Sequence, residues 1–128
     1  GDGAIMGALV RPAGWDIDRF PTVRFACRVP PGVPVGVWVQ AFATEKRGNG
    51  MVCLGGSPAR KCGSSPDLKK VELLDDDQWH EAAVDVRAVR DVFPDVKLLR
   101  TFYLYTAGNG KKDQQYWVDH FRITREEK

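Results

Sequence analysis

Thr22-Val23-Arg24-Phe25-Ala26-Cys27-Arg28-Val29 alternates apolar and polar side chains along its whole length. Period two is the signature of a half-buried strand, because successive side chains point to opposite faces. Pro30-Pro31-Gly32 breaks the run. Outward from this stretch the same period recurs. Val35, Val37, Val39 and Ala41 alternate with Gly36, Trp38, Gln40 and Phe42. Gly48-Asn49-Gly50 predicts a turn before a short run from Met51 to Leu54. The stretch from Gly55 to Leu68, rich in Gly, Ser, Pro and basic residues, predicts a loop. Lys70 to Leu74 predicts a short strand, and Asp75-Asp76-Asp77 an acidic turn. Trp79 to Val86 alternates again, and Ala88 to Phe93 predicts a helical turn that Pro94 ends. Leu98 to Thr106 predicts a strong strand, Gly108-Asn109-Gly110 a turn, and Tyr116 to Thr124 the last strand. Seven or eight short strands with turn signals between them imply an all-β sandwich.

The chain has 128 residues, enough for one domain with a single core. Its start, Gly1-Asp2-Gly3, reads as the edge of a domain excised from a larger protein. No apolar run approaches the roughly 18 residues that a membrane span needs. With 19 basic and 17 acidic residues the formal charge is +2. That balance argues against a nucleic-acid protein working through a broad basic field.

Signatures of nucleotide binding and of a serine-hydrolase elbow are absent. His80 and His120 fall on separate strands with no motif around them. Asp16 with Asp18, and Glu81 with Asp85, read as solvated charges rather than a hydrolytic pair. The expectation is a protein without catalytic activity. Cys27 lies on an apolar strand face and reads as a small buried hydrophobe. Cys53 and Cys62 bracket the stretch from Leu54 to Lys61, and their spacing does not match a CxxC site. Both a disulfide closing a hairpin and two free thiols remain open from sequence.

If the apolar alternate positions face the core, the outer faces carry Arg24, Arg28, Trp38, Gln40, Tyr103, Tyr105, Tyr116 and His120. Aromatic rings beside Arg, Gln and His suit a sugar ring. The C–H face of the sugar stacks on the aromatic side chain, and its hydroxyls find polar partners. Trp38, Tyr103, Tyr105 and Tyr116 would stack; Arg24, Arg28, Gln40 and His120 would bond hydroxyls or a uronate carboxylate. A small lyase on the same scaffold would instead need Tyr105, His120 and Arg28 to converge. Trp15, Trp79 and Trp117 read as packed. Asp119 shares the alternation of Trp117, Phe121 and Ile123, so it is expected to be buried. A buried carboxylate needs a hydrogen bond, a salt bridge to Arg or an ion such as Ca²⁺.

The order of several short pieces resembles jelly-roll, galactose-binding-like carbohydrate-binding modules of bacterial polysaccharide-degrading proteins. Phe20-Pro21-Thr22-Val23-Arg24-Phe25-Ala26-Cys27-Arg28-Val29-Pro30 is similar to their opening strand. Asp77-Gln78-Trp79-His80 is similar to their D-G-x-W-H turn, with Asp85 close to the aspartate that follows it. Tyr116-Trp117-Val118-Asp119-His120-Phe121-Arg122-Ile123 is similar to their closing Y-Y-I-D-N-F-R-I strand. Gln78 replaces the turn glycine, and His120 replaces the asparagine. The resemblance implies a jelly-roll β-sandwich of two antiparallel sheets over residues 1–128. It also implies non-catalytic polysaccharide binding, a monomer that targets an appended catalytic domain, and an extracellular or cell-surface location. A structural Ca²⁺ with Asp119 as ligand is implied as well. The rival reading is a structural or protein-interaction domain of a multidomain surface protein.

Overall fold

Val23, Phe25, Cys27 and Val29 are buried, whereas Thr22, Arg24, Ala26 and Arg28 remain partly exposed. The alternation read from sequence is thus the actual division between core and surface. In a computed structural model, which describes residues 3–62, 65–107 and 116–125, this strand is the middle of a three-stranded sheet. The expected turn at Gly108-Asn109-Gly110 lies outside the described residues.

Among the described residues, eight strands form two sheets: β1 (Gly3–Asp16), β2 (Thr22–Arg28), β3 (Gly36–Thr44), β4 (Arg47–Gly56), β5 (Asp67–Glu72), β6 (Trp79–Asp85), β7 (Leu98–Ala107) and β8 (Trp117–Thr124). The larger sheet runs β1-β7-β3-β4-β5 and the smaller β6-β2-β8. All described pairings are antiparallel except β4 with β5. This is the expected β-sandwich. The 3-10 turn Val86–Asp91 fulfils the helical expectation, and the Asp85 carboxylate caps it by accepting from the Arg87 N–H.

The larger sheet departs from the sequence reading in three places. β1 was not foreseen, since its Gly, Ala and Pro content hides the alternation, and its pairing with β7 is interrupted twice by register shifts. The turn after β3 falls at Glu45 and Lys46, where the Thr44 hydroxyl accepts from the Lys46 and Arg47 N–H groups. Gly48-Asn49-Gly50 therefore lies inside β4. β4 also runs on to Gly56, through the segment expected to be loop. Gly55 makes that possible: a side chain there would sit 2.0 Å from the Val71 carbonyl of β5, at φ 140°.

Phe25, Phe102 and Phe121 join the sheets. Phe121 stacks on Phe25 at 5.4 Å between centroids, and Phe102 approaches both, at 5.7 and 6.0 Å. Val37, Val39, Leu99, Leu104 and Leu54 fill the space around them with no exposure. Tyr116 is also in this core, 1% exposed, and its hydroxyl donates to the Leu104 carbonyl at 2.8 Å. Its expected role as a sugar-stacking residue is corrected: it reaches no outer face.

Ser57 is the one buried polar residue among those described. Its hydroxyl donates to the Val33 carbonyl at 2.7 Å and accepts from the Val35 N–H at 2.8 Å, tying the end of β4 to the entry of β3. Ser57→Ala leaves both backbone groups unsatisfied. Thermal unfolding should show a loss of about 1–3 kcal/mol. Several carboxyls lie below their usual value of 3.8: Asp18 through the Arg90 hydrogen bond, Asp76 through His80, and Asp85 through Arg87. A lowered folded-state pKa stabilises the fold above the unfolded value and loses that contribution as pH falls through the lowered values. The melting temperature should hold level above about pH 5 and fall below about pH 4, and a pH series of melts checks this.

Candidate functional site

The outward face of the larger sheet is built where β3, β4 and β7 lie side by side. Trp38 pairs with Tyr103 on one side and with Cys53 on the other; Gly36 pairs with Tyr105, and Gln40 with Thr101. Because Phe102 and Leu104 point inward with no exposure, Tyr103 and Tyr105 must point outward. Their rings meet edge to face at 6.5 Å. Trp38, Met51, Ser65, Tyr103 and Tyr105 line a cleft of about 230 Å³. Gln40 is exposed on the same face, next to Met51 in register.

Gly36 shapes this cleft. A methyl group on it would lie 2.6 Å from the Trp38 Nε1, so only glycine lets the indole lie over the sheet there. The indole is 9% exposed, and its N–H finds no hydrogen-bond partner among the described residues. A buried donor without a partner is costly unless something else accepts from it. Burial, and then the proximity of Tyr105 and Cys53, hold the Tyr103 phenol above its ordinary value of 10. It stays protonated at neutral pH and can donate as well as accept. The cleft thus offers ring faces, two phenols and a serine hydroxyl, with no charged side chain among the described residues of its lining.

The expected site residues divide between two surfaces. Trp38, Gln40, Tyr103 and Tyr105 come together on the larger sheet. Arg24, Arg28 and His120 lie on the outward face of the smaller sheet, on the far side of the core. Stacked sheets stand about 10 Å apart, with their outer faces pointing away from each other. Tyr105 therefore does not converge with His120 and Arg28, and that catalytic grouping does not assemble.

On the smaller sheet, Trp79 and Trp117 flank Arg28 in register. The two tryptophans are 51% and 40% exposed, which corrects the expectation that they pack inside. Arg28 lies over the Trp117 ring at 5.0 Å, and its Nε donates to the Asp77 carboxylate at 2.8 Å. Beyond this row, Arg24 stands opposite Arg122.

Asp119 is also exposed rather than buried. In the β2–β8 ladder, Ala26 pairs with Asp119 and Arg24 with Arg122. Two residues of β8, His120 and Phe121, thus stand opposite Phe25 alone. This bulge places His120 at φ 58° and reverses the faces beyond it. Phe121 and Ile123 turn inward, while Asp119 and His120 turn to solvent. The Asp119 carboxylate accepts from the His120 N–H and approaches the His120 ring at 3.5 Å. Among the described residues, Asp119 belongs to no grouping of three side chains that could hold an ion. Among the described residues, the one grouping of three possible metal ligands is Cys53, Cys62 and Asp67. The Cys53 and Cys62 sulfurs lie 2.6 Å apart.

Met51, Ser65 and the two thiols are the part of this region that sequence reading did not assign to the site. A larger hollow of about 320 Å³ borders the 3-10 turn. Its charged groups are already satisfied by one another, Asp85 by Arg87 and Asp91 by Lys70. No helix among the described residues is long and apolar enough to cross a membrane. Comparison with protein-family models, curated proteins and solved structures finds no match.

Gly36→Ala should push the indole of Trp38 out of its seat while the core stays intact. The check is tryptophan fluorescence: emission moves to longer wavelength and becomes more accessible to acrylamide, with an unchanged far-ultraviolet circular dichroism spectrum. An unaltered emission spectrum would show that Gly36 does not shape the cleft.

Proposed function

We propose that this domain is a non-catalytic carbohydrate-binding module that seats one neutral sugar ring in the Trp38–Tyr103–Tyr105 cleft. The observation that carries the reading is the cleft lining: the rings of Trp38, Tyr103 and Tyr105 together with the Ser65 hydroxyl. A pyranose offers what this lining needs. Its C–H face stacks on an aromatic ring, and its hydroxyls exchange hydrogen bonds with Tyr103, Tyr105 and Ser65. At about 230 Å³ the cleft is smaller than the ~300–1,000 Å³ typical of drug-sized ligands. It suits one ring, with Gln40 placed to meet a substituent or a neighbouring unit.

The uncharged lining turns the preference away from acidic polysaccharides. A uronate would call for a guanidinium fork, and Arg24 and Arg28 stand on the other sheet. The resemblance to modules of polysaccharide-degrading proteins supports the same reading. It suggests an extracellular protein in which this domain targets an appended catalytic domain to a polymer.

A second reading rests on the Trp79–Arg28–Trp117 row. Exposed tryptophans around an arginine are enriched at protein interfaces. In the protein-interaction reading a neighbouring domain covers this face.

Affinity electrophoresis separates the two. In gels containing galactomannan or a neutral β-glucan the domain should be retarded, and polygalacturonate should have little effect. Trp38→Ala and Tyr105→Ala should each weaken retardation by about tenfold or more, comparable to losing one stacking platform. Arg24→Ala, His120→Ala and Trp79→Ala should leave it unchanged, and so should EDTA. Retardation that depends on Trp79 and Trp117 but not on Trp38 would relocate the site. Absence of retardation by any polymer would leave the interaction reading standing.

A further inference from the structure

Cys53 stands beside Trp38 in the β3–β4 register, on the same face of the sheet, with its side chain fully buried. Its sulfur touches that of Cys62, which belongs to the segment between β4 and β5. The same segment delivers Ser65 to the cleft. Short hydrogen bonds link these points. The Ser65 N–H donates to the Cys62 carbonyl at 3.1 Å, and the Cys53 N–H donates to the Pro66 carbonyl at 3.1 Å. Arg60 anchors the outer side of the segment, donating to the Asp67 carboxylate at 2.8 Å and to the Ser57 carbonyl at 3.0 Å. Cys62, Ser65 and the wall of the cleft are thus mechanically connected.

We propose that Cys53 and Cys62 are a redox pair whose disulfide staples this segment to β4 and so sets the shape and affinity of the aromatic cleft. The regulatory part of the inference rests on the carbohydrate reading; the staple itself does not. Oxidation needs a two-electron acceptor, and a low-molecular-weight disulfide such as oxidised glutathione supplies it. The Cys62 sulfur, the more accessible of the two, loses its proton and attacks one sulfur of the small disulfide, expelling a thiolate. The Cys53 sulfur, deprotonated in turn, attacks Cys62 in the mixed disulfide and expels the second. The protein loses two S–H hydrogens, one S–S bond has been exchanged for another, and two small thiols are formed.

The surroundings suit a staple rather than a catalytic dithiol. Catalytic cysteines have lowered pKa values, whereas burial, and then the contact with Cys53, push the Cys62 thiol up to about 12. A zinc ion is the competing use of the same atoms, since Asp67 lies within reach of both sulfurs. However, Asp67 is already bonded by Arg60 and by the Lys69 N–H. Cys27 is the internal control: burial pushes it up to about 11, and it has no thiol neighbour among the described residues.

The experiment compares the chain after oxidised glutathione with the chain after a phosphine reductant. Denatured samples are titrated for thiols, expecting one reactive thiol in the first and all three in the second. In the folded protein, acrylamide quenching of Trp38, isolated by subtraction of a Trp38→Phe variant, should rise about twofold on reduction, as the wall loosens. Retardation in galactomannan should weaken by about fivefold, the usual scale of lost preorganisation. Cys62→Ser, a partly exposed position, should match the reduced protein whatever the treatment. Three titratable thiols after glutathione treatment would overturn the pair, as would stoichiometric zinc held by both thiols and lost in Asp67→Asn. A disulfide that forms without altering Trp38 quenching would overturn its control of the cleft. Altered quenching with no polymer bound in either state would support the staple and sink the carbohydrate reading alone.

Discussion

The contact of Phe25, Phe102 and Phe121 is the constraint on which the rest of the structure depends. These rings come from β2, β7 and β8, so they bind the small sheet to the large one. Side chains alternate along a strand, so once Phe102 points inward, Tyr103 and Thr101 must point outward. Phe25 does the same for Arg24 and Ala26. On β8 the bulge at His120 is what brings Phe121 to the cluster. Were that bulge absent, Asp119 and Phe121 would share one face: either the ring would lie in solvent, or the Asp119 carboxylate would enter the core with it, where an unpaired charge is far more costly.

The outward faces inherit different chemistry from this arrangement. On the large sheet, Gly36 and the paired residues Trp38 and Tyr103 create a hollow with aromatic walls and uncharged donors. On the small sheet, Arg28 and Asp77 satisfy each other across the strand end, and Trp117 covers the guanidinium. That face is flat and already internally bonded at its centre. A sugar ring gains from a concave wall on more than one side, whereas a flat row of large side chains suits an extended partner surface. The two surfaces are therefore not alternative descriptions of one site.

Much of this was legible in the sequence wherever a strand keeps a strict period of two. Val23, Phe25 and Cys27 on β2, and Phe102 and Leu104 on β7, were assigned to the core by alternation alone, and the outward Trp38, Tyr103 and Tyr105 followed. What alternation cannot convey is which sheet a strand joins. Arg28 and Trp38 have the same outward status, yet they lie on opposite surfaces because β2 and β3 belong to different sheets. Nor does it survive irregular pairing. The bulge on β8 misplaced Asp119, and the register shifts of β1 and β4 concealed one strand and shortened the other. One local signal did exist. His120 takes a positive φ, and histidine, asparagine and aspartate are the non-glycine types that tolerate it best. The asparagine in the resembling closing strand at this position is of the same kind, so a bulge there was readable from residue type.

The chemistry of the cleft also bounds how tightly it can hold a sugar. Its polar groups are few and neutral, so it lacks the charge-assisted hydrogen bonds that make anion sites strong. What it could gain is stacking on two or three rings and neutral hydrogen bonds to Tyr103, Tyr105 and Ser65, each a modest contribution. On the carbohydrate reading, such a site would hold one ring weakly, and a polymer would offer many equivalent rings. Rebinding along a chain then raises the effective affinity without any new contact. In that regime a small change in cleft geometry matters, because it multiplies over every encounter. On the carbohydrate reading, rigidity of the wall that carries Ser65 would therefore bear on binding more than the burial of any single aromatic ring, and Cys53, beside Trp38 in the β3–β4 register, stands where a staple would act on it.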